Sequence, residues 1–357
     1  MGEPAAPDPQ PHRGAGAPAG AGPTLAELGE GAALARIIPR LGVADAAIVG
    51  PGDDAAVLAA PDARVVVTTD TMAHGPDFRL AWSTPFELGW KAAATNLADI
   101  AAMGARPTGL VVALLAPAET PVSLLEGLAD GLKACCDALA PGCTVVGGDL
   151  STSSVLTIAV TAFGDLEGRD PVLRSGARPG DVVAVSGPLG LAGEGLRLLF
   201  AEGVDATGAP STDRAAALRA SHPAELAAQL TPRPPIADGP RAAEAGARAM
   251  MDVSDGLALD AGRLARASGV GLDLSGSAVA AAVDGLPAAP LGAALAGGED
   301  HALLAAFPPG TELPGGFRAV GVVVEAGPEG PEVRVDGSRI EGRGGWDASA
   351  DWDGGAG

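Results

Sequence analysis

The chain has 357 residues, 47% of them apolar and 3% aromatic, with no tyrosine; it is long enough for two domains whose cores must be built from Ala, Val, Leu and Ile. The formal net charge is −21, and Lys91 and Lys133 are the only lysines, which argues against the basic face that nucleic-acid binding requires. No signal peptide and no uncharged, breaker-free apolar run of about 18 residues is visible, and the clustered Cys135, Cys136 and Cys143 do not read as a disulfide framework. The expectation is a cytoplasmic protein with buried free thiols and no membrane or nucleic-acid partner. An acidic chain that handles phosphates needs positive charge from elsewhere, and divalent metal is the obvious source.

Residues 1–23 are mostly Pro, Ala and Gly and cannot bury enough apolar surface to order themselves, so they are expected to form a disordered tail. Thr24 to Leu41 reads as a helix, with Thr24 as N-cap and Glu27 completing a capping box. Ala55–Leu58 and Arg64–Thr69 read as strands, Pro85–Met103 as a long helix ended by Gly104, Leu110–Leu115 as a strand and Val122–Leu139 as a helix. Thr144–Val146 and Val155–Phe163 follow as strands. The polar stretch Arg169–Gly180 marks a boundary between domains at 24–168 and 169–347, leaving 348–357 to fray.

In the second half, Asp181–Ser186 reads as a strand leading through a Gly-rich turn into a helix that ends near Phe200. Gly203–Ser221 reads as loop or short helix, Ile236–Ala247 as a helix, Met250–Met251 as part of a short strand, and Leu257–Ser268 as a helix closed by Gly269. Gly271–Leu274, Ala302–Ala306, Phe317–Val324 and Glu332–Val335 read as strands. The class is α/β and α+β in two halves.

Aspartates recur at turns and element ends. Gly52-Asp53-Asp54 places two adjacent carboxylates after a Pro-Gly turn, where mutual repulsion costs on the order of a few kcal/mol unless a cation separates them. Val65–Thr71 reads as a β-branched strand delivering Thr68, Thr69 and Asp70 at its carboxyl end, and hard oxygen ligands on rigid backbone suit Mg²⁺. Asn96 and Asp99 lie three apart on one face of an apolar helix, where a carboxylate must be paired or coordinated. Val145–Asp149 reads as another strand ending in a carboxylate, with Gly147 and Gly148 leaving room for an anion. Asp252-Val253-Ser254-Asp255 precedes a helix N-terminus, itself an anion site, and Gly297-Gly298-Glu299-Asp300 repeats the pattern of glycines then acids. Each motif alone is also what a turn, cap or ion pair looks like. The Gly187–Gly195 turn has the wrong spacing for a dinucleotide fingerprint, and neither a P-loop nor a protein-kinase catalytic loop is present.

As an ordered set, Gly52–Val57, Thr68–Thr71, Asn96–Ala105, Gly147–Leu150, Arg174–Asp181, Asp252–Leu257 and Gly297–Asp300 resemble the thiamine-monophosphate kinase family, over about Gly50 to Phe307 and more weakly to Trp346. The resemblance implies the two-domain fold of the aminoimidazole ribonucleotide synthetase-like ATP-binding superfamily and a homodimer in which the N-terminal sheets pair. It implies transfer of the ATP γ-phosphoryl group to thiamine monophosphate with several Mg²⁺ ions. The matching metal positions are Asp54, Thr68, Thr69, Asp70, Asp99, Asp149, Asp252 and Asp255. Gly148, Asp149, Arg174 and Ser254 match nucleotide contacts, and Asp77, Glu299 and Trp346 match positions around the thiamine moiety. No nucleophilic side chain is needed, because the acceptor phosphate itself attacks in line. Two departures stand out: Asp77 replaces the family's usual His, and His301 its usual Tyr, which points to the acceptor pocket as the place of change. The alternatives are another ATP-using enzyme of the superfamily, such as aminoimidazole ribonucleotide synthetase, selenide water dikinase or the hydrogenase-maturation dehydratase, and a nucleotide-binding regulatory protein without turnover. The cysteines that the selenide and maturation proteins carry at their termini have no counterpart here.

Overall fold

The computed structural model describes residues 22–51, 55–282 and 290–340. Thr24 and Glu27 form the expected capping box, which holds a single turn, α1 (Leu25–Leu28). The helix does not continue as one piece to Leu41. Gly29, at φ 79°, breaks it, and α2 (Glu30–Leu41) begins afresh. β1 (Ala47–Val49) and β2 (Val57–Leu58) form a small antiparallel pair, so the strand expected from Ala55 starts at Val57.

β3 (Val66–Ala73) runs four residues beyond the expected stop at Thr69. Thr68, Thr69 and Asp70 therefore sit inside a paired strand and not at its end; eight consecutive partners from Val66–Gly164 to Ala73–Thr157 hold it there. α3 (Pro85–Ala102) starts with a Thr84–Glu87 capping box and Pro85 in its first turn. β4 (Arg106–Ala116) and α4 (Val122–Leu139) follow. β5 (Val145–Thr152) passes straight through Gly147-Gly148-Asp149, so this carboxylate also lies within a strand and not at its end. β6 (Thr157–Asp165) completes a four-stranded sheet in the order β3-β6-β4-β5.

α3 is apolar on nearly all sides and buried accordingly. α4 approaches it backbone to backbone: a Cβ on Gly89 would overlap the Leu128 carbonyl, and one on Gly131 the Phe86 carbonyl. α3 also touches β3, β4 and β6 on one side and elements of the second half on the other.

The second half comprises β7 (Val182–Ser186), α5 (Leu191–Glu202), α6 (Thr212–Ser221), α7 (Pro223–Leu230), α8 (Asp238–Glu244), β8 (Ala249–Val253), α9 (Leu257–Ser268), β9 (Gly271–Leu274), α10 (Gly276–Ala281), α11 (Pro290–Ala296), β10 (Ala302–Phe307), β11 (Arg318–Val324), β12 (Val333–Val335) and β13 (Ser338–Arg339). The seven-stranded sheet is ordered β13-β12-β9-β11-β7-β10-β8. Helix α6 occupies the end of the stretch read as loop or short helix, α7 lies beyond it, and α8 is shorter than the expected Ile236–Ala247.

One apolar core joins both halves: Leu97, Ile100 and Ala101 of α3 share it with Met250 of β8 and with Leu303, Ala305 and Phe307 of β10. A second core lies between the seven-stranded sheet and α9, α10 and α11. Continuous burial on this scale stabilises by roughly 25 cal/mol per Å² of apolar surface and fixes α3 rigidly against both sheets. No described helix is long and apolar enough to cross a membrane. The three cysteines are free and buried.

Candidate functional site

The rigid placement of α3 brings acids from both halves together. Thr68 and Asp70, two apart on β3, share the face toward α3. The Thr68 hydroxyl donates to Asp99 Oδ2 at 2.7 Å, and the Asp70 backbone N–H donates to Asn96 Oδ1 at 3.2 Å. Asp252 at the end of β8 is buried and lies 3.3 Å from His301 Nδ1, also buried. Burial pushes the Asp99 pKa up to about 6; the charges of Asp252 and Asp70 add to the rise, and Thr68 and His301 oppose it. Asp70 opens to solvent on one side, yet desolvation lifts its pKa too, with Asp252 adding to the rise and His301 opposing it. Burial lowers the pKa of His301, but its bond to Asp252 and the negative charges of Asp252 and Glu299 outweigh this, so the net shift is upward. The acids are neighbours in charge. Among the described residues, however, no three His, Cys, Asp or Glu side chains form a preformed metal cage. The donor set of carboxylates and a hydroxyl is the hard-oxygen chemistry that Mg²⁺ prefers, and a cation here would relieve the mutual repulsion.

A second group adjoins this one. The turn carrying Glu299 docks against the Asp252–Asp255 turn: Glu299 N–H donates to the Ser254 carbonyl at 2.6 Å, and His301 N–H to the Val253 carbonyl at 2.9 Å. Glu299 and His301 both adopt positive φ, 67° and 51°, a conformation that is strained in non-glycine residues. Gly298 permits the contact, since a Cβ there would lie 2.8 Å from the Ser254 carbonyl. The Glu299 carboxylate is ion-paired with Lys91 of α3 and accepts from Gln229 Nε2 of α7 at 2.5 Å. Burial alone would raise the Glu299 pKa, but Lys91 and Gln229 outweigh it and hold the group ionised. Asp77, on the turn after β3, accepts from the Ala73 N–H at 2.7 Å and feels the charges of Glu299 and Lys91; burial, then Glu299, raises its pKa. Neither Lys91 nor Gln229 was a sequence candidate. A lysine inside an apolar helix, one of two in the chain, was the available signal for Lys91; Gln229 carried none.

The other candidates lie apart from these groups. Thr69 points to the opposite sheet face from Asp70, where its hydroxyl donates to the Val160 carbonyl at 3.0 Å and accepts from Thr161. Asp149 also faces that side, on the far edge strand, and accepts from Ser151 at 3.0 Å. Three strand spacings separate β3 from β5, about 14 Å, so one chain does not bring Asp149 to Asp70. Gly148 has no room for a side chain, because a Cβ would overlap the Val112 carbonyl. Gly147, Gly148 and Asp149 border a cavity of about 870 Å³ whose other walls include Leu34 and Ile37 of α2 and Leu128 of α4. Pro51 and Ala55, which flank Gly52-Asp53-Asp54, also line it. Asp255 pairs with Arg263 at 2.5 Å. The Arg174 side chain is exposed, and its backbone carbonyl accepts from the Ser268 hydroxyl. Asp54 and Trp346 lie outside the described residues.

Asp300 has a structural task. It is buried and accepts from the backbone N–H groups of Gly190 and Ala192 at 2.5 and 2.9 Å, closing the start of α5. The Gly-rich turn that imitates a dinucleotide fingerprint is thus occupied by the chain's own carboxylate.

Residues 52–166 match the family described as AIR synthase related protein, N-terminal domain, and residues 178–311 its C-terminal domain. The chain is 45% identical over 331 residues to the thiamine-monophosphate kinase of Mycobacterium tuberculosis, spanning 91% of this chain and 92% of that one. Among solved structures, the thiamine-monophosphate kinase of Stenotrophomonas maltophilia K279a superimposes with a TM-score of 0.71 at 31% identity, covering 86% of this chain and 97% of that one. AaThiL complexed with AMPPCP and TMP superimposes at 0.63 and 31% identity, covering 82% and 90%. The fold, the matched span and the degree of identity agree: the chain belongs to the thiamine-monophosphate kinase family of two-domain, AIR synthase-related α/β proteins.

Proposed function

We propose that this protein phosphorylates thiamine monophosphate to thiamine diphosphate at the expense of ATP, by direct in-line transfer and without a phosphoenzyme. The observation that carries the reading is the convergence of Asp70, Asp99 and Asp252 from both halves of the chain beside the Glu299 turn. Two anionic phosphates repel, and the reaction asks mainly for positioning and charge neutralisation. Asp70, Asp99, Asp252 and Thr68 would hold Mg²⁺, with Asp54 and Asp255 as further ligands. Bound there, the metal supplies the positive charge that donor and acceptor phosphates share. Ser254 and Arg174 contact the nucleotide, Arg174 offering a fork of donors to a phosphate. The 870 Å³ apolar cavity beside Gly148 and Asp149 has the size and lining to take a nucleobase. Glu299 and Asp77 face the thiamine moiety, and Trp346 is assigned to the same substrate on family resemblance alone.

The division of labour places the metal and nucleotide strands in residues 24–168 and the turns that close over them in 169–347. We further propose a homodimer. Thr69 and Asp149 face an open sheet side on which Val67 is 60% exposed, and a second copy packed there would bring its β5 edge toward β3. That arrangement would bring Asp149 of one chain to Thr69 of the other, on the strand that carries Asp70, whereas within a single chain β3 and β5 stand about 14 Å apart. Three free thiols and a dependence on ATP fit a reducing, cytoplasmic setting.

The test is a coupled assay with thiamine monophosphate, ATP and Mg²⁺ on wild type and Asp70→Asn. Wild type is expected to form thiamine diphosphate, and the variant to lose the activity. ATP binding without product would instead favour a regulatory protein, and turnover untouched by the substitution would dismiss the metal assignment.

A further inference from the structure

Gln229 is 3% exposed, and its carbonyl oxygen Oε1 has no hydrogen-bond partner. An unsatisfied buried acceptor costs about 1–3 kcal/mol, so its retention asks for a reason. The one other unpaired buried side-chain atom among the described residues is Arg169 Nε, and that guanidinium is satisfied through its remaining nitrogens by Glu167, Glu244 and the Gly104 carbonyl. Gln229 has no such compensation.

Nor can its amide be turned round to solve the problem. The Gln229 Nε2 donates to the Glu299 carboxylate at 2.5 Å, and an ionised carboxylate only accepts. A flip would set oxygen against oxygen. Lys91 bonds the same carboxylate oxygen, Oε2, and holds the group ionised at that contact. The unpaired oxygen is thus held one amide carbon away from the atom that bonds Glu299 and is closed to solvent in the free chain, so a ligand reaches it only as the packing around it opens. A fixed acceptor next to a fixed carboxylate is a two-point match for a ligand group carrying N–H donors, such as the amino group of an aminopyrimidine.

We propose that Gln229 is a recognition residue for the acceptor, its Oε1 accepting a hydrogen bond from the exocyclic amine of the acceptor's heteroaromatic ring while Glu299 takes a neighbouring donor. The inference rests on the thiamine monophosphate reading of the site and adds to it a residue on α7. The unpaired oxygen is the cost carried by the free enzyme, and binding of the amine removes it. An oxo group in place of the amine would instead bring two acceptors together.

The experiment compares thiamine monophosphate with oxythiamine monophosphate, whose ring carries oxygen in place of that amine, as substrates of wild type, Gln229→Met and Gln229→Leu. Wild type is expected to prefer the amine by at least about 30-fold in kcat/KM, as a site does when it loses a matched donor. In Gln229→Met the preference falls by about tenfold and KM for thiamine monophosphate rises by a similar factor. KM for ATP moves less than twofold, and the melting temperature stays close to that of wild type, because the unsatisfied oxygen and the bond to Glu299 are lost together. Gln229→Leu gives the same ratio should the longer side chain disturb packing. An unaltered preference in both folded variants overturns the role of Gln229 and leaves the kinase reading standing. Absence of any turnover of thiamine monophosphate by wild type overturns both.

Discussion

Asp300 and Asp260 are buried aspartates on one side of the site, and Asp99 is its half-buried counterpart on the other; burial lifts all three to about 6. What opposes the rise differs. Asp300 is met by two backbone N–H groups at the start of α5, and Asp260 by the Asp255 N–H and the Arg263 guanidinium. Asp99 has the Thr68 hydroxyl and the more distant charge of His301, while the negative charges of Asp252 and Asp70 push it further up. A raised pKa therefore does not separate scaffold from site. The separation lies in whether the chain itself supplies the counter-charge. Asp300 and Asp260 are compensated by the chain and fasten a loop; Asp99 has a single hydroxyl against two neighbouring acids, and the proposed cation would complete it.

The sharpest test sets activity against stability. Asp70→Asn is expected to lower kcat/KM at least 10³-fold, about 4 kcal/mol of transition-state stabilisation, while the melting temperature holds or rises because a repelling charge has gone. Asp300→Ala should do the reverse. It strands two N–H groups at the start of α5 in a buried site, costing about 3 kcal/mol of stability, read as a lower midpoint in urea. A variant of Asp70 that melts early, or of Asp300 that melts like wild type, would erase the distinction.

A smaller effect follows from the pH dependence of Asp99. Its pKa is about 6 in the fold against about 3.9 in an unfolded chain, so the folded state holds the proton more tightly. The stability this contributes is fully present below about pH 4 and is lost as pH rises through about 6. With part of the group open to solvent, the loss is on the order of 2 kcal/mol. Millimolar Mg²⁺ should recover it at pH 7.5, raising the melting temperature by about 3–5 °C, and should do little at pH 5, where protons compete for the same oxygens. Equal shifts at both pH values would place the cation elsewhere.

The local part of this structure was legible. Val122–Leu139, Leu257–Ser268 and Gly271–Leu274 form over the residues that their patterns indicate, because periodicity and end signals agree there. The capping box at Thr24 is real, but the helix after it breaks at Gly29, whose positive φ no apolar pattern encodes. Thr68-Thr69-Asp70 and Gly147-Gly148-Asp149 look like strand ends, since Asp and Gly weaken strands. Pairing with β6 and β4 overrides that weakness and carries both strands onward. Whether a given aspartate fastens or waits depends on partners far along the chain. Asp300 meets Gly190 at a separation of 110 residues, and Glu299 meets Lys91 at 208. Asp300 and Glu299 are adjacent in sequence, yet their partners lie on different elements, the start of α5 for one and α3 and α7 for the other.

The smallest readout is a partial rescue and concerns Asp149, the carboxylate that neither fastens a loop nor reaches the cluster within its own chain. If a second copy delivers it to β3, the strand that carries Thr69 and Asp70, then Asp70→Asn and Asp149→Asn damage different halves of one composite site. Each variant alone is nearly inactive. Chains unfolded together and reassembled give about half mixed dimers under free exchange, and a mixed dimer has one site with both substitutions and one with neither. Activity should therefore return to about a quarter of wild type, a recovery that neither variant shows when reassembled alone. No recovery, with mixed dimers demonstrated by mass, would mean that Asp149 serves its own chain, and the register across β3-β6-β4-β5 would leave it no path to the cluster.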